Sequence, residues 1–134
     1  MTSNGLDSSE FEAFLKGFYA ARIEGEVEAI GAMFADDARF RIVGSPEFSM
    51  LATSVQGREG IMGLFRTISD SFGLDEFSIE DLLIDGNKAA VRWSARVQNI
   101  TSGDTFTTEL ADFIEIDCGK IISLNEFLDT ALAG

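Results

Sequence analysis

The chain has no histidine, a single cysteine and a single proline among its 134 residues. Without histidine there is no Ser-His-Asp or Cys-His nucleophilic machinery, and no ordinary histidine-ligated zinc site. Cys118 has no second cysteine to pair with, so an internal disulfide is excluded and a cytoplasmic protein is expected. Basic residues are also scarce, 10 Lys and Arg against 23 Asp and Glu, for a net charge of −13. Such a surface repels phosphate backbones and anionic lipid, so neither nucleic acid nor membrane is an expected partner. Arg39, Arg41, Arg92 and Arg96 on the strands are too few to reverse that. No apolar run approaches membrane-spanning length, and the start, MTSNGLDSSE, lacks the basic and apolar regions of a signal peptide.

What the chain has in excess is phenylalanine, 12 residues beside one Trp and one Tyr. That load suits a core or a cavity walled by flat rings. One domain is expected over residues 9–134, after a flexible tail at 1–8. Ser9 and Glu12 read as a capping box that opens a first helix. Phe11, Leu15, Phe18 and Arg22 then share one helical face, and Gly25 ends it. A shorter helix carries Val27, Ile30, Met33 and Phe34 inward until Ala35-Asp36-Asp37 breaks it. Asp36-Asp37 is read as this terminator and not as a metal pair. Residues 38–43 alternate as a strand, with Phe40 and Ile42 opposite Arg39 and Arg41.

Residues 44–56 show no clear period and read as a flap, with Phe48, Met50 and Leu51 too apolar for a solvated connection. A third helix follows from Gly57, with Ile61, Leu64, Phe65, Ile68 and Phe72 at helical spacing. Four strands complete the chain, at 76–84, 88–100, 105–116 and 121–128, joined by short turns at Asp85-Gly86-Asn87, Thr101–Asp104 and Asp117–Lys120. Short turns imply antiparallel pairing. Early helices and late strands indicate an α+β domain, helices on one face of a curved sheet.

Strand parity selects the candidate site. Leu110, Asp112, Ile114 and Ile116 fall on one face, so a carboxylate interrupts an apolar stripe. A buried charge needs a partner or a proton. Asp112 is therefore either a carboxyl with a raised pKa, fit for acid–base work, or a group satisfied by Arg22, Trp93 or water. Arg22 either pairs with an inward acid or extends out at the helix end. In the last strand Leu124, Glu126 and Leu128 oppose Asn125, Phe127 and Asp129; either Glu126 or Asp129 is the second inward carboxyl, and a bulge would reconcile the two. Arg22, Phe18, Phe40, Ile42, Phe48, Met50, Phe65, Trp93, Leu110 and Leu124 are the expected ligand-binding wall of the pocket.

The runs FYAARIEGEVEAIGAMFADDARF, GREGI, DGNKAAVRWSARV and GKIISLNEFLDTA, in that order, resemble the nuclear-transport-factor-two-like superfamily, and within it the ketosteroid-isomerase-like and SnoaL-like polyketide-cyclase branch. The resemblance covers about residues 9–131. It implies a cone-shaped, curved antiparallel sheet around a long first helix, an apolar pocket, and a homodimer through the sheet face. It also implies a small apolar or polycyclic ligand, with cofactor-free isomerase, cyclase or hydrolase chemistry or with binding alone. The steroid isomerases place an oxyanion tyrosine where Phe18 stands, a general-base aspartate where Ile42 stands, and a protonated aspartate where Asp112 stands. Two of these three are absent, which argues against that mechanism. Tyr19, one residue on, is expected to point about 100° away, yet stays a candidate catalytic group beside Asp112, Glu126 and Asp129. The superfamily's epoxide hydrolases use an aspartate–arginine–aspartate set; Asp129 resembles one member, but Gln98 stands where an acid belongs.

Overall fold

A computed structural model of the chain describes residues 6–44 and 52–128. Helix α1 runs Ser8–Glu24, α2 Val27–Ala32 and α3 Arg58–Ser71; the strands are β1 Phe34–Val43, β2 Thr53–Gln56, β3 Phe72–Asp85, β4 Lys88–Asn99, β5 Thr105–Asp117 and β6 Lys120–Leu128. They form one curved, unclosed sheet in the order β2-β1-β6-β5-β4-β3.

The capping box that opens α1 is Asp7 with Glu10, not Ser9 with Glu12: the Asp7 carboxylate accepts from the Glu10 N–H at 2.8 Å, and the Glu10 carboxylate accepts from the Asp7 N–H at 3.1 Å. Aspartate is as good a cap as serine, and the start two residues earlier lengthens the helix at its N-terminus. Gly25 closes the helix in the left-handed conformation, φ 70°. Helix α2 stops at Ala32, two residues before the expected end, and Phe34 is the first residue of β1. Asp36 and Asp37 thus lie within a strand, where Arg58 fastens the junction by bonding the Gly31 and Phe34 carbonyls and pairing with Asp36 at 2.6 Å. Phe72 likewise caps α3 in extended geometry and begins β3, four residues before the expected start. The edge strand β2 lies in the segment read as a loop.

β3 to β6 pair antiparallel through the expected turns. β1 departs from an all-antiparallel sheet: it runs parallel to β6, with Phe40 opposite Leu124 and Ile42 opposite Glu126. Parallel neighbours need a long crossover, and here the whole of α3 and β3–β5 supplies it. The inward rows have the expected parity: Ala89, Val91, Trp93 and Ala95 on β4, and Leu110, Asp112, Ile114 and Ile116 on β5 are buried. They close on α1 and α3 around Phe11, Leu15, Phe18, Phe34, Phe40, Ile61 and Phe65.

Candidate functional site

Three charged side chains are buried among the described residues: Arg22, Asp112 and Glu126. They come from different elements. Arg22 descends from the last turn of α1, and Asp112 and Glu126 stand directly opposite each other on β5 and β6. The β5–β6 register shifts only between Glu115 and Ile116. No bulge is therefore needed to turn Glu126 inward; plain alternation does it. Asp129, Phe48 and Met50 lie outside the described residues.

Arg22 neither extends to solvent nor takes Asp112 as its main partner. Its guanidinium makes a bidentate bond to Glu126, Nη1 to Oε2 and Nη2 to Oε1, the second at 3.2 Å. Asp112 Oδ2 is 3.8 Å from Nη1. The ring centroids of Phe65 and Trp93 lie 5.1 Å from the Arg22 guanidinium carbon, and that of Phe18 5.9 Å. Aromatic faces replace some of the hydration this cation loses.

Asp112 Oδ2 accepts two hydrogen bonds, one from the Trp93 indole N–H at 2.8 Å and one from the Tyr19 hydroxyl. Oδ1 has no partner among the described residues. Tyr19 corrects the expectation drawn from the helical wheel: it is fully buried, as Phe18 is. Helix α1 is enclosed on more than one side, so its buried arc takes in both residues.

A count of charge governs the electrostatics. One cation faces two carboxyls. Burial raises the Asp112 pKa well above the usual carboxylate range, and the negative charge of Glu126 adds to the rise. Burial pushes Glu126 up too, but the charge and hydrogen bonds of Arg22 outweigh it and hold this carboxyl below its ordinary value. Burial, and then the charge of Asp112, push the Tyr19 hydroxyl well up. Arg22 stays a firm cation, because burial is overcome by Glu126. Within the cluster the two carboxyls are thus pushed in opposite directions, Asp112 toward its neutral form and Glu126 toward the ionised form that pairs with Arg22.

Beside it lies a cavity of about 60 Å³, room for a few water molecules. Among the described residues Ile42, Ile68, Phe72, Leu74, Val97, Phe106, Leu110 and Leu128 give it apolar walls; Trp93, Arg22, Glu126 and Thr108 also line it, and the lining is almost wholly apolar. Of the expected wall residues, Arg22, Ile42, Trp93 and Leu110 line it, whereas Phe18, Phe40, Phe65 and Leu124 belong to the packed core. Asp112 stands one layer behind Trp93 and Glu126. The residues absent from the sequence reading of the site are those of its far wall. Leu74, Val97 and Phe106 come together through the β3–β4–β5 pairing, with Leu74 opposite Val97 and Val97 opposite Phe106.

The SnoaL-like domain family matches residues 15–124. No curated protein matches the chain in sequence. In structure it is similar to an NTF2-like protein from Burkholderia xenovorans LB400, at 25% identity over 96% of this chain and 97% of that one, TM-score 0.77. A protein with a ketosteroid isomerase-like fold from Catenulispora acidiphila, in complex with trimethylamine, aligns at 17% identity over 90% and 89% of the two chains, TM-score 0.74. An LEH-like epoxide hydrolase from M. tuberculosis aligns at 16% identity over 91% and 89%, TM-score 0.71.

Proposed function

Because the chain belongs to the SnoaL-like domain family, we propose that it binds a small apolar molecule carrying one carbonyl oxygen and moves a proton on it without a cofactor. The observation that carries this reading is the carboxyl pair of unlike protonation state beside an apolar cavity. Glu126 lines the cavity as an ionised carboxylate and is the base. It takes a proton from the carbon next to the ligand carbonyl and becomes neutral. Arg22, which also lines the cavity, then turns its charge from Glu126 to the enolate oxygen that forms. Return of the proton to the same or a neighbouring carbon restores the ion pair, so an isomerisation is complete with no other reactant. Asp112, neutral behind the pair, keeps the resting cluster free of net charge. The cavity volume favours a small ring or short chain over a polycyclic skeleton.

The test is carbon-bound hydrogen exchange in heavy water with a panel of small cyclic ketones and enones, read by NMR. The expected result is faster deuterium incorporation with the protein, reduced about 10²–10⁴-fold in Glu126→Gln with ketone binding retained. No acceleration by the parent protein would remove the catalytic reading. A binding module is the second reading, favoured by one observation: both Glu126 oxygens are already engaged by Arg22. Ketone binding without exchange would support it. A homodimer through the sheet face belongs to the same proposal; Leu83 and Phe113 are exposed there, and sedimentation measures it.

A further inference from the structure

Two donors converge on one oxygen of Asp112, and this has a chemical consequence. A neutral carboxylic acid has one carbonyl oxygen, which accepts, and one hydroxyl, which donates. The indole N–H is a donor only, so Trp93, at 2.8 Å, makes Oδ2 an acceptor. A tyrosine hydroxyl can donate or accept. The Tyr19 hydroxyl donates to the same oxygen. We infer that Tyr19 and Trp93 are positioning residues that hold Oδ2 as the carbonyl oxygen and so leave the Asp112 proton on Oδ1. The inference rests on the proposed role of Asp112 as the neutral member of the pair.

The surroundings make the arrangement rigid. The Tyr19 ring stacks on Phe77 at 5.6 Å between centroids, with planes 19° apart, and leans on Trp93 at 5.3 Å. Both rings are buried, so neither donor is drawn away by water. The charged and titratable groups that face Asp112 are Tyr19 and Arg22 from α1 and Glu126 from β6. Oδ1 has no protein partner among the described residues. A buried hydroxyl without an acceptor is costly, so Oδ1 is the donor left for Glu126, directly opposite on β6, or for a water. The two bonds to Oδ2 also set the strength of the acid. Donors favour an ionised carboxylate over a neutral carbonyl, and the Tyr19 bond accordingly restrains the rise that burial gives the Asp112 pKa.

Tyr19 is the sole tyrosine and Trp93 the sole tryptophan, which permits a clean experiment. Growth on 3-fluorotyrosine makes the Tyr19 hydroxyl a stronger donor and changes no other residue. The acid carbonyl band of Asp112 is isolated by infrared difference against Asp112→Asn and followed with pH. In the fluorinated protein the band is expected at lower frequency and the midpoint of its loss at lower pH. In Tyr19→Phe both are expected to move up, and Trp93→Phe should move them the same way. If the band is present but unmoved by fluorination and by Tyr19→Phe, the positioning role is overturned and the neutral Asp112 survives. If no acid band exists near neutral pH, the charge assignment of the proposed function falls with it. Should Tyr19→Phe fail to fold, the fluorinated protein still decides the matter. A change in thermal stability with a stationary band would mean packing alone.

Discussion

At the scale of single residues, Asp112 and Glu126 respond to pH in opposite senses. Asp112 has a folded pKa raised above its ordinary 3.8. As pH rises past that value the unfolded chain releases its proton first, so stability declines from about pH 4 until the raised pKa is passed. Glu126 has a lowered folded pKa, so its contribution is complete above its ordinary 4.5 and fades as pH falls through the folded value. Together they place maximal stability on the acid side of neutrality. Asp112→Asn stays neutral at every pH. Urea unfolding across pH 4 to 8 should show the parent losing stability relative to this variant as pH rises; a gap that stays constant or narrows would contradict the neutral acid. Arg22 gives the second prediction. Arg22→Leu leaves Glu126 as a buried anion without its cation, a loss of about 3–5 kcal/mol at pH 7. The deficit should shrink toward pH 5 as Glu126 takes up a proton, and Arg22→Leu with Glu126→Gln should recover part of it. Much of this cluster was legible from parity, because a carboxylate inside an apolar strand stripe can be counted. Tyr19 was not. A wheel centred on Phe18 assumes one buried stripe, and α1 is covered over a wider arc.

At the scale of elements, local chemistry was read well where hydrogen bonds close over a few residues and badly where two elements compete for the same ones. Gly25 and the turn at Asp117–Lys120 need backbone that favours glycine, and that signal is in the sequence. Phe34 and Phe72 are apolar residues at the seams between helix and strand. Either periodicity fits them, and the neighbouring strand decides: Phe34 pairs with Ile121 and Phe72 with Asn99. The β5–β6 turn carries a prediction of its own. Cys118 sits in the left-handed region at φ 52°, followed by Gly119 at φ 74°. A side chain with an ordinary Cβ is strained there, and asparagine tolerates it better. Cys118→Asn creates an Asn-Gly hairpin turn and should stabilise the fold by about 0.5–1 kcal/mol, as a rise in the urea midpoint at unchanged slope. Because the turn sets the register that places Glu126 against Asp112, the site should keep its ligand affinity.

At the scale of the whole molecule, the pairing hidden from the sequence was the parallel contact of β1 with β6. Alternation tells which face a residue takes, but not which strand lies beside it when nearly eighty residues intervene. That pairing nonetheless sets Ile42 beside Glu126 and so brings one wall of the cavity to this carboxyl. The other global property is charge. With 23 acidic side chains against 10 basic ones, the surface repels itself in the compact state. Several of the cations are already matched: Arg92 bridges Asp81 and Glu109, and Arg96 faces Asp75 at 3.3 Å. Exposed pairs of this kind contribute little, so salt removes more repulsion than attraction. Screening shortens from about 30 Å at 0.01 M to about 3 Å at 1 M. The melting temperature should accordingly rise by several degrees between low and high sodium chloride. The Arg22–Glu126 pair, out of reach of bulk ions, should hold its strength, so the deficit of Arg22→Leu should be the same at both salt concentrations. A melting point that fell with salt would mean that the surface pairs, and not the excess of carboxylates, govern the stability of the fold.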